Sequence, residues 1–216
     1  MAERTTQSWT TVPHFFVTRD ADATALLETH ERLAVEVERA RGIKATLTDL
    51  LIALVARALA KHPRMNARWS AEGIRRNAEI NVAVAVAVEE GVVAPVVHKA
   101  NLSKIEEIAV RRRELTERAK AGRLQPADIT GGTFTISNLG MYNVEAFTAI
   151  IVPPQAGILA VGRVGDRVVA VDGRAAVRPV VTLTLSTDHR VADGARAALF
   201  LNDVVEAIRE PRKWLE

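Results

Sequence analysis

The sequence predicts a single α/β domain built around a mixed β-sheet, and three observations lead to this fold class. The chain of 216 residues is long enough for one substantial hydrophobic core. Apolar residues recur at helical spacing in the first part of the chain and at its end, whereas short strand-like segments follow Gly131. Helices and strands do not alternate regularly, so a layered domain with a mixed sheet is favoured over a regular parallel array.

Two helices are predicted in the first third of the chain. Apolar residues recur at helical spacing over residues 22–41, and Gly42 closes this helix. The second helix covers residues 46–62, where Thr46 and Asp49 can cap its first turn. So little polar surface remains along the second helix that we expect it to lie at the centre of the fold.

Residues 81–88 read NVAVAVAV, a strict alternation of valine and alanine. Valine suits a pleated strand, and both faces are apolar, so we predict a strand covered on both sides. The shallow alanine face favours the close approach of a helix. The alternative is that this face lines a ligand channel.

A third helix is predicted over residues 103–122, with Ser103 and Glu106 as a capping box. One face of this helix is traced by Ile105, Ile108, Arg112, Leu115 and Ala119. The remaining surface is rich in arginine and lysine, which is typical of a solvated face. Steering of a phosphate-rich ligand or an acidic partner is the alternative.

The second half of the chain is predicted to be mainly β-structure. Strands are expected at residues 133–137, 147–152, 157–164, 167–171 and 179–186. A final helix follows, with one apolar stripe formed by Ala197, Leu201, Val204 and Ile208. No internal repeat or linker divides the sequence, so residues 1–216 are expected to form one domain.

Composition excludes several function classes. The absence of cysteine rules out a disulfide framework, a thiolate nucleophile, a Cys-ligated zinc site and an iron–sulfur centre. The formal charge of +3 does not by itself indicate nucleic acid or membrane binding. The N-terminus lacks the apolar segment of a signal peptide, and no apolar run is long enough to span a bilayer. A cytoplasmic protein is therefore expected, or a protein of an organelle matrix if a transit peptide was removed.

The segment DHRVADG places His189 between a predicted strand and a predicted helix. Histidine is the side chain best suited to move a proton near neutral pH. Asp193, at the predicted helix start, can be an N-cap, and Asp188 with His189 can be an exposed turn instead of a reaction centre. No second histidine lies three to five residues away, so no metal site is predicted.

A second candidate segment is GGTFTISNLGMYNVEAF. A short apolar strand delivers Ser137 and Asn138 to a turn that ends at Gly140. Both side chains can donate hydrogen bonds, as an oxyanion site requires. Serine and asparagine in this position are also ordinary turn residues, so both interpretations stay open at this point.

Together these segments resemble the catalytic acyltransferase core of 2-oxo acid dehydrogenase complexes. The similarity is carried by the DHRVADG segment, by TFTISNLGM, by PPQ followed by ILAVG, and by WTTVPHF near the start. The resemblance extends over nearly the whole chain, and the segments occur in the order typical of the family. The resemblance implies the two-layer sandwich of chloramphenicol acetyltransferase, an α/β fold with helices on one side of a mixed sheet.

The resemblance also implies roles for individual residues. His189 corresponds to the catalytic histidine. Ser137 corresponds to the serine that stabilises the tetrahedral oxyanion from a neighbouring subunit, and it also lies with Asn138 in the turn that contacts coenzyme A. Asp193 corresponds to the motif aspartate, which supports the local architecture without relaying protons.

The implied reaction is acyl transfer from S-acyl-dihydrolipoamide to coenzyme A, without a metal. Leu139-Gly140-Met141 favours the acetyl-transferring, pyruvate-type branch. The implied assembly is a homotrimer that can build a cage of about 24 or about 60 copies, with Trp214 and Leu215 as an apolar contact between trimers. The alternative for this pair is packing on its own subunit.

Neither a lipoyl domain nor a peripheral-subunit-binding domain is recognisable in the sequence. Lipoyl domains and dehydrogenase partners are therefore expected to be separate from this domain. Two alternatives to the acyltransferase remain: a chloramphenicol acetyltransferase-type enzyme with a hydroxyl acceptor, and a structural core without catalysis. The first normally has a second histidine before the catalytic one, where this chain has Asp188.

Overall fold

The computed structural model of the protein describes residues 2–215. The helices are α1 Ala2–Thr11, α2 Thr24–Arg41, α3 Leu47–Lys61, α4 Ile105–Lys120, α5 Pro126–Ile129, α6 Gly194–Arg209 and α7 Pro211–Leu215. The strands are β1 His14–Asp22, β2 Ala67–Ser70, β3 Gly73–Arg76, β4 Val82–Val84, β5 Val86–Val88, β6 Gly91–Val93, β7 Val96–Val97, β8 Phe134–Asn138, β9 Gly157–Val161, β10 Gly165–Val171 and β11 Arg174–Asp188. None of the described helices has the length and apolar character needed to cross a membrane.

The main sheet has the strand order β1-β11-β9-β8-β4-β7, with β10 paired to β11. Strand β8 runs parallel to both β4 and β9, whereas the other pairs are antiparallel. The predicted mixed sheet is therefore confirmed. Alternate residues along the central strands, such as Leu183 and Leu185, share one core with residues of α2, α3, α4 and α6. Because strand side chains alternate in direction, these helices cover one face of the sheet.

The opposite face of the sheet is more polar and carries Thr182, Thr184 and Ser186, all buried. A small cluster of Val12, Ile151 and Ile158 packs on this side. This second face is the one on which Thr135 and Ser137 of β8 lie, since the residues between and before them face the helices.

Helix α3 lies at the centre of the fold, as its sequence predicts. The predicted cap is confirmed: the Thr46 hydroxyl accepts the N–H of Asp49, and the Asp49 carboxylate accepts the N–H of Thr46 at 2.7 Å. Asp49 is fully buried and also pairs with Arg112 of α4 at 2.8 Å. The end of α2 is confirmed too, since Gly42 has φ 68°, a left-handed conformation that glycine favours.

The predicted N-cap of α4 is wrong by one residue, since Lys104 and not Ser103 is the cap. The helix begins at Ile105, and the N–H of Lys104 donates to the Glu107 carboxylate at 2.9 Å, so Ser103 and Glu106 form no capping box. The Ser103 hydroxyl donates instead to the carbonyl of Lys99. At the observed cap, Lys104, the acidic residue three positions later is Glu107.

Two predicted strands also need correction. Residues 81–88 do not form one strand: β4 joins the main sheet, whereas β5 pairs only with β6, and Ala87 is exposed. Residues 147–152 form no strand, because β8 and β11 already occupy both edges of β9. Side chains hold this segment instead, through Ser8 to the carbonyl of Ile151 at 2.6 Å and Ser186 to the carbonyl of Ala149 at 2.6 Å.

The C-terminal pair packs partly on its own subunit. Trp214 and Leu215 lie half-buried against the main core. The Nζ atom of Lys61 lies 3.5 Å from the centre of the Trp214 ring, a cation–π contact that joins α7 to α3. The intrachain alternative therefore accounts for much of the apolar surface of these two side chains.

Candidate active site

The turn that carries His189 is held by backbone hydrogen bonds on both sides. The N–H of His189 donates to the carbonyl of Pro13 at 3.0 Å, and the N–H of Asp188 donates to the carbonyl of Ala156 at 2.8 Å. The N–H of Val191 returns to the carbonyl of Asp188 at 2.8 Å. The position of the histidine is therefore fixed by Pro13 just before β1, by the segment before β9, and by the turn itself.

The imidazole of His189 is exposed and stands edge-on to the ring of Phe15. The two ring centres are 5.4 Å apart and the ring planes are inclined by 89°. Within residues 2–215, no side chain or carbonyl hydrogen-bonds this imidazole. Its ring nitrogens are therefore free to exchange a proton with a ligand.

Asp188 and Arg190 form a bidentate ion pair inside the same turn. Asp188 is 3% exposed, and its carboxylate accepts Nη2 of Arg190 at 2.8 Å and Nε at 3.0 Å. The hydrogen bonds that Arg190 donates to the Asp188 carboxylate raise the pKa of Arg190. An exposed turn is thus the wrong description for Asp188, because its carboxylate is desolvated and fully engaged by the guanidinium.

Arg190 also stacks on an aromatic side chain. Its guanidinium carbon lies 5.5 Å from the ring centre of Trp69 in β2. Sequence reasoning did not find this contact or the role of Arg190. The short spacing of opposite charges in DHR was the available signal, since such a pair within three residues can close a turn.

Asp193 is the N-cap of α6. Its carboxylate accepts the N–H of Arg196 at 2.9 Å and also contacts the Arg196 guanidinium. These interactions, first the backbone hydrogen bond from Arg196, lower the pKa of Asp193. The N-cap alternative and the implied architectural role therefore describe the same contact.

Ser137 and Asn138 end strand β8 with different surroundings. The Asn138 side chain accepts the N–H of Gly140 at 2.9 Å and donates to the Thr48 hydroxyl at 3.3 Å. Within residues 2–215 the Ser137 hydroxyl has no hydrogen-bond partner, although the residue is partly buried. Asn138 thus shapes the turn, and Ser137 retains a free donor. Thr48, at the start of α3, was not predicted as a site residue.

The structure does not bring Ser137 and His189 together within one chain. Ser137 is level with Ala160 of β9, and Ala160 is level with Thr184 of β11. Asp188 lies four residues further along β11, at about 3.3 Å per residue, and two strand spacings of about 4.8 Å separate β8 from β11. The backbone at Ser137 and the backbone of the His189 turn therefore lie toward opposite ends of the strands, about 16 Å apart or more.

Residues 2–215 contain no cluster of three or more His, Asp or Glu side chains that could hold a metal ion. The candidate site combines the free imidazole of His189, the distant free hydroxyl of Ser137, and the ion pairs Asp188–Arg190 and Asp193–Arg196.

Comparison with known proteins decides the family. The sequence model of the 2-oxoacid dehydrogenases acyltransferase (catalytic domain) family matches residues 1–216. The chain belongs to this family. Over 215 residues, this acyltransferase domain is 37% identical to the "Dihydrolipoyllysine-residue acetyltransferase component of pyruvate dehydrogenase complex" of Rickettsia felis, covering 100% of the chain and 52% of that protein. The domain thus spans about half the length of the curated relatives it matches.

Solved structures agree with the fold of the acyltransferase domain. Dihydrolipoamide acetyltransferase of Azotobacter vinelandii, in which the catalytic roles of a serine, a histidine and an asparagine were investigated, is 30% identical with a TM-score of 0.95. The cubic core of the pyruvate dehydrogenase multienzyme complex gives the same values, and each match covers 100% of this chain and 89% of the other. A chloramphenicol acetyltransferase, 14% identical with a TM-score of 0.53, covers 95% of this chain and 94% of its own and confirms the predicted fold class.

Proposed function

We propose that this domain transfers an acetyl group from S-acetyl-dihydrolipoamide to coenzyme A in a site formed between two copies of the chain. The observation that carries this proposal is the separation of the free imidazole of His189 from the free hydroxyl of Ser137. In a symmetric homotrimer, the His189 end of one sheet meets the Ser137 end of the next copy. Ser137 lies on the sheet face that the helices leave uncovered, which suits such a contact.

The spacing of these residues supports the assignment. In the A. vinelandii enzyme the investigated serine stands 52 positions before the histidine, and the asparagine stands four positions after it. From Ser137 to His189 is also 52 positions, and Asp193 stands four positions after His189. The two catalytic side chains are thus proposed to be His189 and Ser137. Asp193, which replaces the asparagine, keeps the α6 start in place as its N-cap.

The reaction then follows from the protonation states of the coenzyme A thiol and the His189 imidazole. A thiol with a pKa of about 8.5 is mostly protonated at neutral pH, although the thiolate is the nucleophile. The neutral imidazole of His189 accepts the thiol proton of coenzyme A while the sulfur attacks the thioester carbonyl carbon. The carbonyl electron pair moves to oxygen, where Ser137 of the neighbouring copy donates a hydrogen bond.

Collapse of the tetrahedral intermediate completes the transfer. The bond between the carbonyl carbon and the dihydrolipoyl sulfur breaks, and the imidazolium of His189 returns its proton to that sulfur. The products are acetyl-coenzyme A and dihydrolipoamide. No thiol of the protein takes part, in agreement with a sequence that has no cysteine. Asn138 and Thr48, which touch each other beside Ser137, are the proposed coenzyme A-facing edge of the turn.

The proposed assembly is a trimer that builds a larger core in the cytoplasm or in an organelle matrix. Support comes from the cubic core of the pyruvate dehydrogenase multienzyme complex, which has the same fold. The lipoyl group would arrive on a separate domain, and the dehydrogenase partners would bind outside residues 1–216. A hydroxyl acceptor of the chloramphenicol acetyltransferase type is disfavoured, because the position before His189 holds a buried carboxylate bound by Arg190.

Mixing of two inactive variants tests the shared site. His189→Ala and Ser137→Ala proteins are dissociated, mixed in equal amounts and reassembled, and transfer from acetyl-dihydrolipoamide to coenzyme A is measured. About a quarter of randomly formed interfaces then combine an intact histidine with an intact serine, so substantial activity should return. Reassembled trimers with no more activity than the two separate variants would exclude a site shared between copies.

A further inference from the structure

Three residues, His189, Phe15 and Gly194, contact one another in series behind the turn of His189. The ring of Phe15 stands edge-on to the imidazole of His189, with 5.4 Å between ring centres. The Cζ and Cε1 atoms of the same ring lie against Gly194, the first residue of α6. Phe15 therefore fills the space between the imidazole and the start of the helix.

Gly194 has no backbone reason to be glycine. Its φ lies outside the left-handed region, and alanine favours a helix over glycine by roughly 0.5–1 kcal/mol. A Cβ atom at this position would, however, lie 3.2 Å from Cζ and 3.5 Å from Cε1 of Phe15. The first distance is tighter than normal van der Waals contact, so the ring of Phe15 would have to move by a few tenths of an ångström.

The ring is anchored on the strand that also holds the backbone of His189. Phe15 lies in β1, level with Thr187 of β11, and its half-buried side chain packs on the main core. Pro13, two residues before Phe15 and just ahead of β1, accepts the N–H of His189 through its carbonyl. The residue that leads into β1 thus holds the main chain of His189, and Phe15 within β1 contacts its imidazole.

We infer that Phe15 is a positioning residue that fixes the orientation of the His189 imidazole, and that Gly194 lacks a side chain so that the ring of Phe15 can occupy this place. The inference rests on the proposed role of His189 as the general base. Within residues 2–215, no hydrogen bond restrains that imidazole, and the edge-on contact with Phe15 is a restraint that the structure does show. A small displacement of a catalytic group is costly, because proton transfer needs a near-attack geometry.

The test compares Gly194→Ala, Phe15→Leu and the control Phe16→Leu in the assembled protein. Phe16 carries the same ring on the opposite face of β1, where it stacks on His14 at 6.1 Å. We expect kcat to fall about tenfold in Phe15→Leu and in Gly194→Ala, with KM for coenzyme A unchanged. Phe16→Leu should keep the wild-type kcat.

Thermal unfolding separates positioning from general destabilisation. Gly194→Ala should unfold at the same temperature as the wild type or higher, since alanine favours the helix, although its kcat falls. The double variant Phe15→Leu/Gly194→Ala should be no slower than Phe15→Leu alone, because the added methyl group then has no ring to displace. Equal losses that simply multiply in the double variant would show that the two residues act independently and would overturn the inference.

A wild-type kcat in Gly194→Ala would also overturn the inference, whatever the kcat of Phe15→Leu. His189→Ala is measured beside these variants. An active His189→Ala protein would refute the proposed function itself, whereas an inactive one with fully active Gly194→Ala and Phe15→Leu would refute only the positioning role.

Discussion

The N–H of Ile151 donates a hydrogen bond to Nε2 of His14 at 3.1 Å, while Nδ1 of the same ring lies 2.8 Å from the carbonyl of Val12. A carbonyl can only accept, so Nδ1 carries the hydrogen and Nε2 offers its lone pair. His14 is therefore neutral in this structure. It joins the start of β1 to the segment before β9, next to the residues that hold the turn of His189.

We expect His14→Phe to destabilise the protein by about 1–3 kcal/mol, because the N–H of the buried Ile151 loses its acceptor. Phenylalanine keeps a ring against Trp9 and Phe16, so the change removes mainly the hydrogen bonds. Urea unfolding at one fixed protein concentration measures the effect, since assembly makes stability concentration-dependent. A variant as stable as the wild type would show that water replaces the acceptor.

Local sequence signals predicted the start of α3 and the end of α2 correctly, although the equally local capping box at Ser103 and Glu106 was wrong. The Thr46 and Asp49 cap and the turn of Gly42 were predicted because each depends on neighbouring residues only. The alternation over residues 81–88 suggested one strand, but the chain changes sheets after Val84, which depends on tertiary pairing. Residues 147–152 have strand-like composition, yet both edges of the adjacent strand β9 are already occupied.

The candidate site was also predictable only in its local features. His189 and Ser137 were found from residue type and motif, but their placement at opposite ends of the sheet follows only from the register of β8, β9 and β11. The burial of Asp188 could not be predicted from a segment as polar as DHR. It depends on the guanidinium of Arg190, which neutralises the carboxylate at short range.

Ser137→Ala should lower kcat by about 10²–10³-fold, the usual effect of removing one oxyanion donor. The affinity for coenzyme A should change little, because an oxyanion donor acts mainly in the transition state. Steady-state kinetics and calorimetry with coenzyme A measure the two quantities. Ser103→Ala is the matched control, since this serine lies at the start of α4 and bonds only the carbonyl of Lys99. Lost affinity with an unchanged kcat would make Ser137 a binding residue.

At neutral pH Asp193→Asn should retain activity and most of the thermal stability, losing only the contribution of the ionised carboxylate, whereas Asp193→Ala should lower both. Asparagine can accept the N–H of Arg196 as an N-cap, and alanine cannot. The stabilising contribution of the ionised carboxylate depends on pH. Because folding lowers the pKa of Asp193, this contribution is present at neutral pH and is lost as the pH falls through the folded-state value.

Thermal unfolding from about pH 7 down to about pH 3 tests whether this stabilisation is lost on acidification. The wild type should lose stability on acidification relative to Asp193→Asn, which has no group to protonate at this position. A wild type that gains stability relative to Asp193→Asn in acid would contradict the direction of the pKa shift.

Arg190→Met should destabilise the turn of His189, because Asp188 is 3% exposed and would keep its carboxylate without a partner. We expect a loss of about 2–3 kcal/mol, below the 3–5 kcal/mol of fully buried pairs since the Arg190 side chain is 32% exposed. Adding Asp188→Asn removes the unpaired charge, so the double variant should recover part of this loss. Urea unfolding of the two single variants and the double variant gives the coupling free energy. A double variant that is no more stable than Arg190→Met would show that the stacking of Arg190 on Trp69, and not the ion pair, holds the turn.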